Sequence, residues 1–181
     1  MASLDQILAS AAGVESFLLD VADVVNSTLD LDTILKRVAE LIRRVIDYEI
    51  FAILLVNEKT QDLRIRFSIG HSPETVERTK VKIGEGITGQ AVLRREPIIV
   101  GDVRTIEGYI ESVPGVRSEL AVPLIIKNRV IGVIDIEASQ PNAFTQEHSR
   151  LLTVVASRIA IGIENAAFTL ALPVRRRLYF S

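Results

Sequence analysis

Apolar positions recur every third and fourth residue from Ser3 to Thr28, at Leu4, Ile7, Leu8, Ala11, Val14, Phe17, Leu18, Val21, Val24 and Val25. This spacing predicts a helix. The apolar positions cover more than one stripe, so the helix is expected to be buried from two sides, one of them against a second chain. Asp30 is placed to cap a second helix, Leu31 to Ile46, with a core stripe of Ile34, Leu35, Val38, Leu41, Ile42 and Val45. Tyr48 to Val56 is a β-branched, apolar run that reads as a strand. Asp62 to Ile69 alternates, with Leu63, Ile65, Phe67 and Ile69 on one predicted face and Asp62, Arg64, Arg66 and Ser68 on the other. Together these form a predicted antiparallel hairpin.

Ser72 and Pro73 open a short predicted helix to Thr79. A short strand, Val81 to Ile83, leads into Gly84-Glu85-Gly86, a tight loop that Gly86 or Thr88 closes as the cap of a helix, Ile87 to Arg94. Pro97 to Val100 is a strand. Gly101 to Arg117 is the longest irregular stretch, with a helical turn expected near Thr105 to Ser112, and a loop this long is usually functional. Glu119 to Ile126 and Val130 to Glu137 form a second hairpin through Lys127-Asn128-Arg129, with Pro123 marking an edge or a bulge. Thr145 caps the last helix, which runs to about Leu170, and His148 stands where a capping box has Glu or Gln.

This order predicts an α+β fold. An antiparallel sheet of about six strands carries the N- and C-terminal helices on one face and a loop-covered pocket on the other. Three segments are expected: a dimerisation helix over 1–28, the domain over 29–170, and a tail or truncated linker over 171–181.

Composition narrows the chemistry. The chain has 181 residues and a net charge of −2, which gives no support for nucleic-acid binding. It contains no cysteine, so disulfides, thiolate metal sites and cysteine nucleophiles are excluded. No run reaches the roughly 18 apolar residues of a membrane span, and no signal peptide is evident, so a cytoplasmic location is expected. Asp20, Asp23, Asp30 and Asp32 straddle a helix junction and read as caps, not as a metal site. Gly84-Glu85-Gly86 lacks the Lys-Ser/Thr of a phosphate loop. No catalytic residues, metal ligands or cofactor are assigned.

Several segments, in this order and spacing, resemble the GAF domain, a small-molecule-sensing module of signalling proteins. They are Leu29-Asp30-Leu31-Asp32, Gly84 to Gly89 with Ala91-Val92, Pro97 to Asp102, Ser118 to Leu124, Val130 to Ile134, and Phe144-Thr145. The resemblance implies a ligand pocket on the loop side and flanking helices that pair into dimers and relay a signal to an output domain outside this chain. Bilin attachment and reduction of free methionine sulfoxide use cysteines in this family, so both are excluded on that ground. Cyclic-nucleotide binding is disfavoured. The family's Asn-Lys and Asp-Glu pairs read Ala138-Ser139 and His148-Ser149 here, and only Phe144 matches. His71 and His148 are expected to be structural rather than haem ligands.

The expectation is a non-enzymatic sensory domain that binds an unidentified small ligand and acts as a homodimer. The pocket is assigned to Phe67, Ile69, Ile83, Val103, Tyr109, Leu120 and Val122, with Asp102 and Ser118 as polar contacts. The alternative is a structural dimerisation module whose cavity is filled by Phe67, Ile69, Ile99 and Leu120.

Overall fold

The computed structural model describes residues 10–171. Helix α1 spans Ala11–Asn26, and the side chain of Ser10 caps it by accepting from the Gly13 N–H at 3.0 Å. The part of the expected helix before Ser10 lies outside the described residues, as does the tail beyond Ala171. Helix α2 spans Leu31–Arg43 and is capped by Asp30, as its sequence predicts. Strands β1 (Ile50–Asn57) and β2 (Asp62–Ile69) follow. Next come α3 (Pro73–Arg78) with Ser72 as its cap, the short β3 (Val81–Lys82), α4 (Gly86–Arg94) and β4 (Ile98–Val100). A single 3-10 turn, Val103–Thr105, begins the long loop, earlier than the helical turn expected near Thr105 to Ser112. Strands β5 (Ser118–Ile126) and β6 (Arg129–Ala138) precede the long α5 (Gln146–Ala171).

The fold is α+β. Its six strands form one antiparallel sheet in the order β3-β2-β1-β6-β5-β4. The turn between β5 and β6 is tighter than expected, with Lys127 and Asn128 both at positive φ. Pro123 is tolerated because β4 pairs only with Glu119, Leu120 and Ala121, which leaves the outer side of β5 unpaired at Pro123. Helix α5 opens on the expected capping box, with His148 in the acidic residue's place. The Thr145 N–H donates to His148 Nδ1 at 3.3 Å, and the His148 N–H donates to Thr145 Oγ1 at 3.2 Å.

The sheet separates two apolar layers. On one face α1, α2 and α5 bury Phe17, Val21, Leu35, Leu152 and Ile159 against Phe51, Ile53, Leu120, Val122, Ile134 and Ile136. Tyr48 closes this core, and its hydroxyl donates to the Ala39 carbonyl at 2.8 Å. On the other face Leu54, Leu63, Val81, Ile87, Val92 and Val103 form a second, smaller cluster. Among the described residues no helix is long and apolar enough to cross a membrane.

One irregularity decides which side chains reach the second face. The pairing of β1 with β2 shifts between Ile53 and Leu54, so that Ile53 faces Phe67 and Leu54 faces Ile65, with Arg66 as the extra residue. A bulge exchanges the faces of the residues beyond it. Leu63 and Ile65 therefore pack on the loop side, whereas Phe67 and Ile69 pack with the helices. The uniform alternation expected along β2 is corrected accordingly.

Candidate functional site

The loop side encloses a cavity of about 440 Å³. Its apolar wall is Ala52, Leu54, Ile65, Val81 and Ile87; α3 supplies Glu74, Thr75 and Arg78, and the long loop lays Tyr109, Ile110, Glu111 and Ser112 across the opening. Glycines make this enclosure possible. Gly86 has φ +59°, and a Cβ on it would stand 3.1 Å from Ile110 Cδ1, beneath the loop. Gly89 sits so close to β3 that a Cβ would run into the Lys82 carbonyl oxygen. The glycine loop is closed by Gly84 N–H to the Gly89 carbonyl at 2.9 Å and by Gln90 Nε2 donating to the Gly84 carbonyl. Neither Gly86 nor Thr88 is the cap as expected, because the cap position of α4 falls on Glu85, whose side chain makes no capping hydrogen bond.

Three carboxyl groups form one wall of the cavity: Glu119 on β5, and Asp135 and Glu137 on β6. Glu119 is paired across the sheet with Glu137, and Asp135 lies two residues along on the same face. All three are buried, with exposures of 4%, 5% and 3%. Their carboxylate oxygens lie within 4.8 Å of one another. Like charges facing each other on neighbouring strands are destabilising. Burial and mutual repulsion therefore favour the protonated forms. Glu119 is pushed up to about 8 by burial and by Glu137, and Asp135 is raised well above its ordinary range by burial and by both neighbours. Glu137 is also raised by burial, against the hydrogen bonds from Asp135 and Ser112.

Asp135 Oδ1, Glu137 Oε2 and the Tyr109 hydroxyl are buried without a hydrogen-bond partner among the described residues. The Tyr109 hydroxyl is held neutral, its pKa raised first by burial and then by Glu137. Among the described residues the triad is the one acidic group close enough for a metal ion. Carboxyls that hold protons bind a cation poorly, and no metal is assigned here. The arrangement can donate a hydrogen bond or a proton from a carboxyl to an acceptor oxygen, and it can receive an ammonium group on an ionised one.

The assigned pocket residues are distributed differently from the sequence expectation. Tyr109 lines the cavity. Phe67 and Ile69 are turned to the helices by the bulge, and Leu120 and Val122 occupy the helix-facing phase of β5, opposite to Glu119 and Ala121. They leave the cavity open instead of filling it. Ile83 lines a separate groove with Arg95 and Arg129, and Val103 is buried in the second core. Ser118 is buried and donates to the Gln140 carbonyl at 2.7 Å. Asp102 accepts from Arg104 at 2.8 Å and Arg117 at 2.7 Å, which holds its carboxyl well below the usual range. Asp102 thereby ties Arg117 at the far end of the loop to the loop's start, and it does not line the cavity. His71 lines the cavity rim between Ser68 and Ser112.

The triad was the missed element. Its signal was present: three acidic residues inside strands that are otherwise largely apolar, with Asp135 and Glu137 two apart and so on the same side of their strand.

Comparisons with known proteins bear on this site. A free methionine-R-sulfoxide reductase from Escherichia coli is 31% identical over 80 residues, covering 44% of this chain and 48% of that protein. The chain thus spans about half the length of this curated relative. The solved free methionine-R-sulfoxide reductase of Neisseria meningitidis superposes with a TM-score of 0.78 at 24% identity, covering 88% of this chain and 93% of that one. A GAF domain from a Coxiella burnetii phosphoenolpyruvate-protein phosphotransferase reaches 0.80 at 21% identity, covering 90% and 100%. The expectation of a non-enzymatic sensory domain is corrected by these relatives, several of which are reductases. The absence of cysteine removes one nucleophile from the chain, but it does not separate the chain from enzymes. The sequence model of the GAF domain matches residues 28–164, most of the chain, and the protein belongs to that family.

Proposed function

We propose that the cavity binds a small polar molecule, free methionine sulfoxide in the first instance, and that the carboxyl triad donates protons to its oxygen. The carrying observation is the placement of Glu119, Asp135 and Glu137 on the wall of a 440 Å³ cavity. That volume lies within the range of about 300–1,000 Å³ common for small-molecule sites. A protonated carboxyl offers an O–H to the sulfoxide oxygen, and an ionised neighbour accepts from the ammonium group. The apolar wall of Leu54, Ile65 and Ile87 suits the methyl and methylene groups of the side chain.

Reduction of a sulfoxide releases water and consumes two protons and two electrons. The triad is suited to the protons. We propose an external thiol pair as the source of the electrons, since the chain has no cysteine of its own.

Calorimetry with the R and S diastereomers and with methionine tests the binding. Binding of one sulfoxide is expected, with D135N weakening it by about tenfold or more. Methionine formation in the presence of dithiothreitol tests the chemistry. Absence of binding by either diastereomer overturns the reading.

The working form is proposed to be a cytoplasmic homodimer. Leu19 on α1 and Val154 and Ile161 on α5 expose large apolar side chains on the terminal helices, which supports pairing there.

A further inference from the structure

The buried triad is joined to the protein surface by a row of hydrogen bonds. Ser112 Oγ lies 3.2 Å from Glu137 Oε1. On its other side Ser112 Oγ is 3.1 Å from His71 Nε2. His71 Nδ1 is in turn 2.7 Å from Ser68 Oγ. Glu137 is buried, whereas Ser112, His71 and Ser68 are each partly open to solvent.

The directions of these bonds are tied together. A serine hydroxyl has one hydrogen, and a neutral imidazole has one N–H. When Glu137 is ionised, Ser112 donates to it and must receive from His71 Nε2–H, so Nδ1 accepts from Ser68. When Glu137 is protonated, it donates to Ser112, Ser112 donates to Nε2, and Nδ1–H points to Ser68. Both polarities satisfy every group in the row. Burial lowers the pKa of His71, which keeps the imidazole neutral and able to take either form.

We propose that Ser68, His71 and Ser112 form a proton path between solvent and Glu137. This rests on the reading of the triad as a site whose protonation changes when a ligand is handled. In the inward direction a solvent acid gives a proton to Ser68 Oγ as the serine's own proton passes to Nδ1. The Nε2 proton passes to Ser112 Oγ, and the Ser112 proton passes to Glu137 Oε1. One bond to hydrogen is broken at the solvent acid and one O–H is formed at Glu137. The three relay groups end neutral, as they began. His71 acts through Ser112 and is a positioning and relay residue, not one that touches the ligand. The other titratable groups lining this cavity are Glu74 and Arg78 on α3, Lys80 between α3 and β3, Tyr109 and Glu111 on the long loop, Glu119 on β5 and Asp135 on β6.

The test is imidazole ¹⁵N NMR of the ligand-free protein across the titration of the triad, with His71 assigned by H71Q. The expected result is a change of tautomer. Nε2–H holds while Glu137 is ionised and Nδ1–H appears as Glu137 takes its proton, before the ring itself becomes charged. S112A is expected to abolish the change, and S112T, which keeps the hydroxyl, to restore it. One tautomer throughout, or a change that survives in S112A, overturns the proposal. Because no ligand is present, failure of methionine sulfoxide to bind would remove the ligand reading and leave this result standing.

Discussion

At the scale of single residues, the most consequential feature is that carboxyl groups stand where strands are otherwise apolar. An acid whose pKa is raised on folding stabilises the fold only while it holds its proton. For Glu119 that contribution is complete below its ordinary value of 4.5 and is lost as pH rises through about 8. E119Q removes the ionisation. It is therefore predicted to match the wild type near pH 4 and to melt a few degrees higher near pH 9, as scanning calorimetry across pH would show. A melting temperature lowered equally at both pH values would contradict the assigned ionisation. Tyr48 gives a contrasting case, because its buried hydroxyl is fully used by the Ala39 carbonyl. Y48F removes that buried hydrogen bond and should cost about 1 kcal/mol in denaturant unfolding, with no effect on ligand binding.

At the scale of elements, the chain declares its ends better than its faces. Ser72 with Pro73, Asp30, and Thr145 with His148 mark helix starts through local hydrogen bonds, and each is legible without knowledge of the fold. The glycine loop is legible for the same reason. Strand phase is another matter. β5 is buried on both faces along Leu120, Ala121 and Val122, so its apolar run does not say which side chains meet the helices. In β2 the alternation is visible but the bulge at Arg66 is not, because it follows from pairing with β1. Those two ambiguities displaced Phe67, Ile69, Leu120 and Val122 from the candidate site and concealed the triad. The long loop illustrates an element held at its base. D102A is predicted to free Arg104 and Arg117 and to speed proteolysis within Gly101 to Arg117 while strand content is retained, measured by limited digestion and circular dichroism. An unchanged cleavage rate would show that the loop is fixed by its other contacts, the packing of Val103, Tyr109 and Val116 and the Ser112 hydrogen bonds.

At the scale of the whole molecule, the sheet works as a partition. Its helix side holds the larger core and carries stability; its loop side holds a smaller apolar cluster and the cavity. This division lets carboxyl groups be buried on one face without disturbing the packing of the other. It also places the proposed dimer surface, on α1 and α5, across the sheet from the ligand. Light scattering at micromolar concentration is expected to give twice the chain mass, and substitution of Leu19 and Ile161 by aspartate to give monomer.

The central claim concerns what occupies the cavity, and a crystal structure of the protein soaked with methionine sulfoxide tests it most directly. The account predicts the ligand beneath Tyr109, with its sulfoxide oxygen or ammonium group within hydrogen-bond distance of Glu119, Asp135 or Glu137. Density in the groove beside Ile83 and Arg129, or a cavity that stays unoccupied at saturating ligand, would contradict it.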